Sequence, residues 1–127
     1  MAAPRDKPHL PEQTQIDAYG NGGFRFGGIS HRGSLLCLPD GVWGWPVMSV
    51  AELSEQSLTK VLGFAGRIDF CLIGTGRDPW AMPESLRAHF RERGLSIDAM
   101  PTGAAVRTYN ILLAEGRRVG AALIAVE

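Results

Sequence analysis

The sequence predicts an α/β fold in which antiparallel hairpins from the first half join a parallel or mixed sheet from the second. Two patterns carry that expectation. The second half alternates apolar runs with helix-spaced apolar residues, giving strand–helix–strand–helix–strand order with right-handed crossovers. The first half alternates short apolar and polar stretches with glycine-rich and Pro-Asp-Gly turns. Length agrees: 127 residues suit one compact domain. Such a chain buries roughly 65–70% of its unfolded surface, so its core needs no metal or disulfide.

Taken in order, Gln15–Tyr19 reads as a short strand, followed by a Gly20-Asn21-Gly22-Gly23 turn suited to positive φ. Phe24-Arg25-Phe26 alternates, and the glycine pair Gly27-Gly28 then predicts a bulge or sharp bend before Ile29-Ser30-His31-Arg32. Ser34–Leu38 and Val42–Trp45 flank Pro39-Asp40-Gly41, a hairpin signal. Leu58, Val61, Leu62 and Ala65 recur at helical spacing after a Ser54 N-cap, with Gly66 at the exit. Phe70–Ile73 is a continuous apolar run, as a strand covered on both faces requires. Pro83 opens a second helix with Leu86 and Phe90 on its buried side and Gly94 as C-cap. Leu95–Met100 is a further strand. Gly103–Glu115 is a third helix, capped by Thr102 and apolar enough to be buried on more than one side. Val119–Val126 closes the chain as a strand.

Thirteen Lys and Arg balance thirteen Asp and Glu, so no global field draws the protein toward nucleic acid or anionic lipid. Eleven of the thirteen cations are Arg, which favours bidentate contacts to carboxylate or phosphate. The clusters Arg87, Arg91, Arg93 and Arg117, Arg118 read as solvated faces balanced by Glu84, Glu92 and Glu115. No stretch approaches the ~18 apolar residues of a transmembrane segment. Three prolines interrupt residues 1–13, expected to be a mobile tail in which His9 is solvated, while 14–127 form the domain. The first eleven residues lack the apolar stretch of a secretory signal, and the chain reads as cytoplasmic. Cys37 and Cys71 sit in apolar runs and read as inert core thiols, with a disulfide or a metal role as alternatives.

Candidate sites are few. Leu72-Ile73-Gly74-Thr75-Gly76-Arg77 and Ala99-Met100-Pro101-Thr102-Gly103 both run from a strand into a loop. Were these strands parallel neighbours, Gly74, Thr75, Gly76, Thr102 and Gly103 would meet at one sheet edge, where α/β sheets bind ligands. Helix N–H groups would then form an anion crevice with Arg77 or Arg107; otherwise the glycines serve turns and the threonines cap backbone. A dinucleotide fingerprint and a phosphate-loop Gly-Lys-Ser/Thr are both missing. His31, His89, Asp17, Asp69 and Asp98 compose no nucleophile–base–orienter set, so no catalytic residue, metal or cofactor is expected. Trp43 and Trp45 share a strand face too apolar to leave bare, which either closes the core or forms a protein interface.

Four motifs occur in order: Tyr19–Phe26, Trp43-Gly44-Trp45-Pro46, Leu72–Gly76 and Ala104–Leu112. Together they resemble, over residues 14–126, the small-domain family that includes mitochondrial complex I assembly factor 3 and its bacterial and archaeal relatives. The resemblance implies a three-layer α/β domain with a mixed sheet and an additional β-hairpin. It further implies a non-enzymatic adaptor or assembly factor acting through protein–protein contacts, with respiratory-complex subunits or assembly proteins at the inner membrane as partners. The positions matching the family motifs are Gly74, Thr75, Gly76, Arg107, Tyr109 and Asn110, marking either a ligand crevice or shared architecture. The alternative is a small-molecule or anion-binding protein, with an unrecognised enzyme as one form of it, using the crevice between Gly74–Arg77 and Thr102–Arg107.

Overall fold

A computed structural model describes residues 7–127. Positive-φ turns organise its first third. Strands β1 (Ala18–Gly20), β2 (Gly23–Phe26) and β3 (Ile29–Arg32) form an antiparallel meander. Its two turns, Asn21-Gly22 and Gly27-Gly28, have φ of 52°, 80°, 53° and 79°. Both centres positive is the signature of the two-residue turn that matches strand twist. The glycine pair is thus a hairpin turn, one form of the bend expected there.

Strands β4 (Ser34–Leu38) and β5 (Gly41–Trp45) form the Pro-Asp hairpin, with Leu38 opposite Gly41. The Asp40 carboxylate fastens it by accepting from Trp43 Nε1 at 2.9 Å. After a 3-10 turn at Val50–Glu52 come α1 (Thr59–Leu62), β6 (Phe70–Gly74), α2 (Glu84–Arg91), β7 (Ser96–Met100), α3 (Thr102–Ala114) and β8 (Val119–Leu123). The large sheet has order β5-β4-β8-β6-β7. Strand β8 runs parallel to β6 and antiparallel to β4, while β6 and β7 are parallel, so the sheet is mixed as expected.

Side-chain alternation divides the core. Leu36, Leu38, Cys71, Ile73, Ala122 and Ile124 face α1 and α2, whereas Leu35, Cys37, Leu72, Ala121 and Leu123 face α3 and the small sheet. The result is three layers: two helices, the five-stranded sheet, then α3 beside the meander. Phe90 of α2 and Tyr109 of α3 are fully buried, and complete burial of such a ring contributes about 1.5–3 kcal/mol.

Helix α1 is shorter than its apolar spacing suggests. Ser54 and Ser57 bond each other's backbone N–H through their hydroxyls at 3.2 and 2.9 Å, and Trp45 Nε1 takes the Ser57 carbonyl. Beyond Leu62, Phe64 and Ala65 bond three residues back, tightening the helix out of register. Ser54 therefore closes a turn ahead of the helix rather than capping it.

The expected tail extends too far along the chain. Residues 1–6 lie outside the described residues, but His9 N–H donates to Val42 O at 2.7 Å and Val42 N–H to Leu10 O at 3.1 Å. Backbone pairing with the edge strand β5 thus fixes these two residues. At the opposite edge, Arg87 of α2 reaches β7 and donates to the Ile97 carbonyl at 2.8 Å.

Candidate functional site

The parallel register pairs Gly74 with Met100, so the loops after β6 and β7 do meet. Their polar groups are spent on each other. Thr75 N–H donates to Met100 O at 2.9 Å, Thr102 N–H to Gly76 O at 2.8 Å, and Ile124 N–H to Gly74 O at 2.9 Å. Thr102 is fully buried. Its Oγ1 donates to Ile124 O at 2.7 Å and accepts Gly76 N–H at 2.9 Å. Thr102 therefore does not cap α3, whose N-cap is Pro101; one hydroxyl joins the ends of three strands instead. Thr75 Oγ1 donates to Asp78 O at 2.6 Å. A Cβ at Gly74 would lie 2.8 Å from Thr102 Oγ1, and one at Gly103 would collide with the Tyr19 hydroxyl.

The crevice read from the sequence is accordingly closed. Close approach of Thr102 and of the Tyr19 side chain accounts for Gly74 and Gly103, and a positive φ of 92° accounts for Gly76, so none of the three needs a ligand to explain it. Arg77 lies outside, where Nη2 donates to Glu127 O at 3.2 Å, and Arg107 is exposed on α3. Asn110 also serves architecture. Its Oδ1 accepts Ile16 N–H at 2.9 Å and its Nδ2 donates to Ile16 O at 2.8 Å. Tyr109 OH donates to Thr14 O at 2.9 Å and Gln13 Nε2 to Val119 O at 2.7 Å. These bonds lace residues 13–16 onto α3 and β8.

Trp43 and Trp45 are closed into the core, 8% and 6% exposed. Lys60 Nζ covers Trp43 at 3.6 Å from the ring centroid. An interface through these indoles is therefore corrected: the hairpin spends its apolar face on α1 and the loops around it. Cys37 and Cys71 are free, buried thiols on opposite sheet faces. Burial pushes both up to about 12. His9 is exposed, as expected of a solvated side chain, yet it has a neighbour. Its ring lies tilted by 50° against that of His31 with centroids 4.5 Å apart, and His31 Nε2 lies 3.1 Å from Ser34 O. Burial, and then the His9 charge, hold His31 below its ordinary range. His89 sits 3.4 Å from Glu55, and Asp69 pairs with Arg118 at 2.8 Å.

An open concavity lies elsewhere. A hollow of about 470 Å³ over the meander is lined by Ala18, Gly20, Gly23, Arg25, Ser30 and Arg32, among others. Sequence reasoning passed over it. The pairings Ala18–Arg25–Ser30 and Gly20–Gly23–Arg32 put these six residues on one face. The alternation of Phe24-Arg25-Phe26 was the available signal, but only the register shows that two arginines share that face.

Three layers, a mixed sheet and a meander stacked beside the third helix define an α/β domain of the Mth938-like class. A Bordetella pertussis structure described as an Mth938-like domain aligns with TM-score 0.78 at 29% identity, covering 88% of this chain and 85% of that one. The chain belongs to the family described as protein of unknown function (DUF498/DUF598), whose profile matches residues 16–124. A Bartonella henselae structure described as an outer membrane protein aligns with TM-score 0.89 at 48% identity, over 94% of this chain and all of that one. An uncharacterized Rhodobacter capsulatus protein is 38% identical over 96% of this chain and 92% of its own length. NADH dehydrogenase [ubiquinone] 1 alpha subcomplex assembly factor 3 of Bos taurus is 36% identical over 90% of this chain and 62% of its own length. The chain thus spans about three fifths of that mitochondrial relative. The family resemblance drawn from the four motifs holds. No helix among the described residues is long and apolar enough to cross a membrane.

Proposed function

We propose that this protein is a non-enzymatic assembly factor for a membrane-bound respiratory complex of the NADH dehydrogenase type. It acts through protein–protein contacts from the cytoplasmic side of the inner membrane. The likeness to assembly factor 3, 36% identity over 90% of this chain, carries the reading. The geometry supports it in two ways. The strand ends that host ligands in many α/β sheets are occupied by the chain's own hydrogen bonds. The thiols are buried and pushed up to about 12, far from the reactive thiolate range. Both features favour contacts made by the outer surface. Affinity purification from solubilised membranes of the native host, read by mass spectrometry, tests the proposal. Enrichment of NADH dehydrogenase subunits or their assembly proteins is expected, and recovery of none would overturn it.

A further inference from the structure

We propose that the hollow on the outer face of the meander binds an extended acidic segment of a partner protein, with Arg25 and Arg32 as its anchors. The proposal deepens the assembly-factor reading by naming the chemistry of the partner, and it rests on that reading only for the partner being a protein.

Most arginines among the described residues are spent on the chain itself, whereas Arg107 stands exposed and alone on α3. Arg87 and Arg91 bond Glu84, Arg87 also reaches Asp98, Arg118 holds Asp69, Arg77 bonds Glu127 O and Arg93 lies against His89. Arg67 and Arg117 cover Phe64 and Phe70. Arg25 and Arg32 are exposed, and among the described residues neither guanidinium makes an ion pair or hydrogen bond. Arg32 Nη1 and the Glu127 carboxylate flank the same point beside Gly22, 3.3 and 3.4 Å from where a Cβ there would stand, so Glu127 is the acidic neighbour a guest carboxylate would have to displace. Two exposed guanidiniums without an ion pair thus belong to one sheet face whose other members, Ala18, Gly20, Gly23 and Ser30, are all small. A Cβ at Gly20 would meet nothing within 4 Å, so the floor is open to a guest.

Spacing selects the guest. Arg32 pairs with Gly23, two residues from Arg25, which makes the arginines diagonal neighbours about 7–8 Å apart. Alternate side chains of an extended peptide are separated by about 6.6–6.8 Å. Two carboxylates in a Glu-x-Glu pattern therefore meet two guanidiniums, each able to form a bidentate, charge-assisted pair. An anionic membrane fits less well, because surface attraction of that kind draws on clusters of about four to eight cations, and this face offers two.

The test is titration of isotope-labelled protein with a blocked eight-residue peptide carrying a central Glu-Ala-Glu, against its Gln-Ala-Gln counterpart. The expected result is amide shifts confined to the meander for the Glu peptide, diminishing as salt rises, and absent for the Gln peptide. Arg25→Gln and Arg32→Gln should each weaken binding about tenfold or more, and Ala18→Trp should block it by filling the floor. Far-UV circular dichroism checks that these exposed variants fold. Equal shifts with both peptides, shifts away from the meander, or preferential binding of phosphatidylglycerol vesicles or single-stranded RNA would overturn the proposal. Failure of the peptide leaves co-purification of respiratory subunits untouched, so the two readings fail separately.

Discussion

Replacing Thr102 by valine removes one hydroxyl and almost no volume. In the folded protein that hydroxyl is the hydrogen-bond partner of Gly76 N–H and of Ile124 O, and Thr102 is completely buried. Valine would leave a buried donor and a buried acceptor unsatisfied at about 1–3 kcal/mol each, so the loss is about 2–6 kcal/mol. Against a total of about 5–15 kcal/mol for a domain, that is a large fraction. Thr102→Ser keeps the hydroxyl and deletes one methyl, so it should cost only about 1 kcal/mol. Urea unfolding followed by tryptophan fluorescence reads both variants as shifts in midpoint at constant slope. Hydrogen exchange at the Gly76 amide gives a local reading, protected in the parent and fast in the valine variant. If valine were as stable as the parent, or serine worse than valine, the claim that these strand ends are sealed by Thr102 would fail.

Three further outcomes are expected. A Cβ at Gly23 would collide with the backbone carbonyl of His31, so Gly23→Ala should separate β2 from β3, cost about 1–3 kcal/mol or more, and abolish protection of the meander amides. His31 titrates below its unfolded value of 6.5, so on acidification the unfolded chain takes up the proton first. Its contribution is therefore complete above that value and is lost as pH falls through the folded one; His31→Gln should flatten the dependence in urea midpoints measured from neutral to mildly acidic buffer. Cys37 and Cys71, buried and pushed up to about 12, should resist a disulfide-exchange thiol reagent in native buffer and react promptly in denaturant; fast native labelling would show that the core opens.

Local chemistry made much of the fold legible. Phe70–Ile73 is apolar throughout because β6 is covered on both faces, and Pro39-Asp40 turns because proline presets φ there. Gly94, with φ of 79°, ends α2 where a left-handed residue was needed. The site was less legible because its logic is long-range. Thr102 sits where a cap residue belongs, yet its partners lie 22 and 26 residues away. Asn110 bonds Ile16 across 94 residues, a pairing that no local window contains. The Trp43 and Trp45 face allowed core or interface until α1 was seen to pack on it. Arg25 and Arg32 became a pair only through strand register.

Each border of the five-stranded sheet is covered at one point by the chain itself, β5 at Val42 by His9 and Leu10 and β7 at the Ile97 carbonyl by the Arg87 guanidinium. Unpaired strand borders template aggregation, and these contacts shorten the bare stretch on each side. A proteolytic nick just after Leu10 would take away the first of them and leave the amide and carbonyl of Val42 as a landing rail for a stray strand. Two residues of a segment expected to be a mobile tail thereby cover part of a strand border that would otherwise be bare.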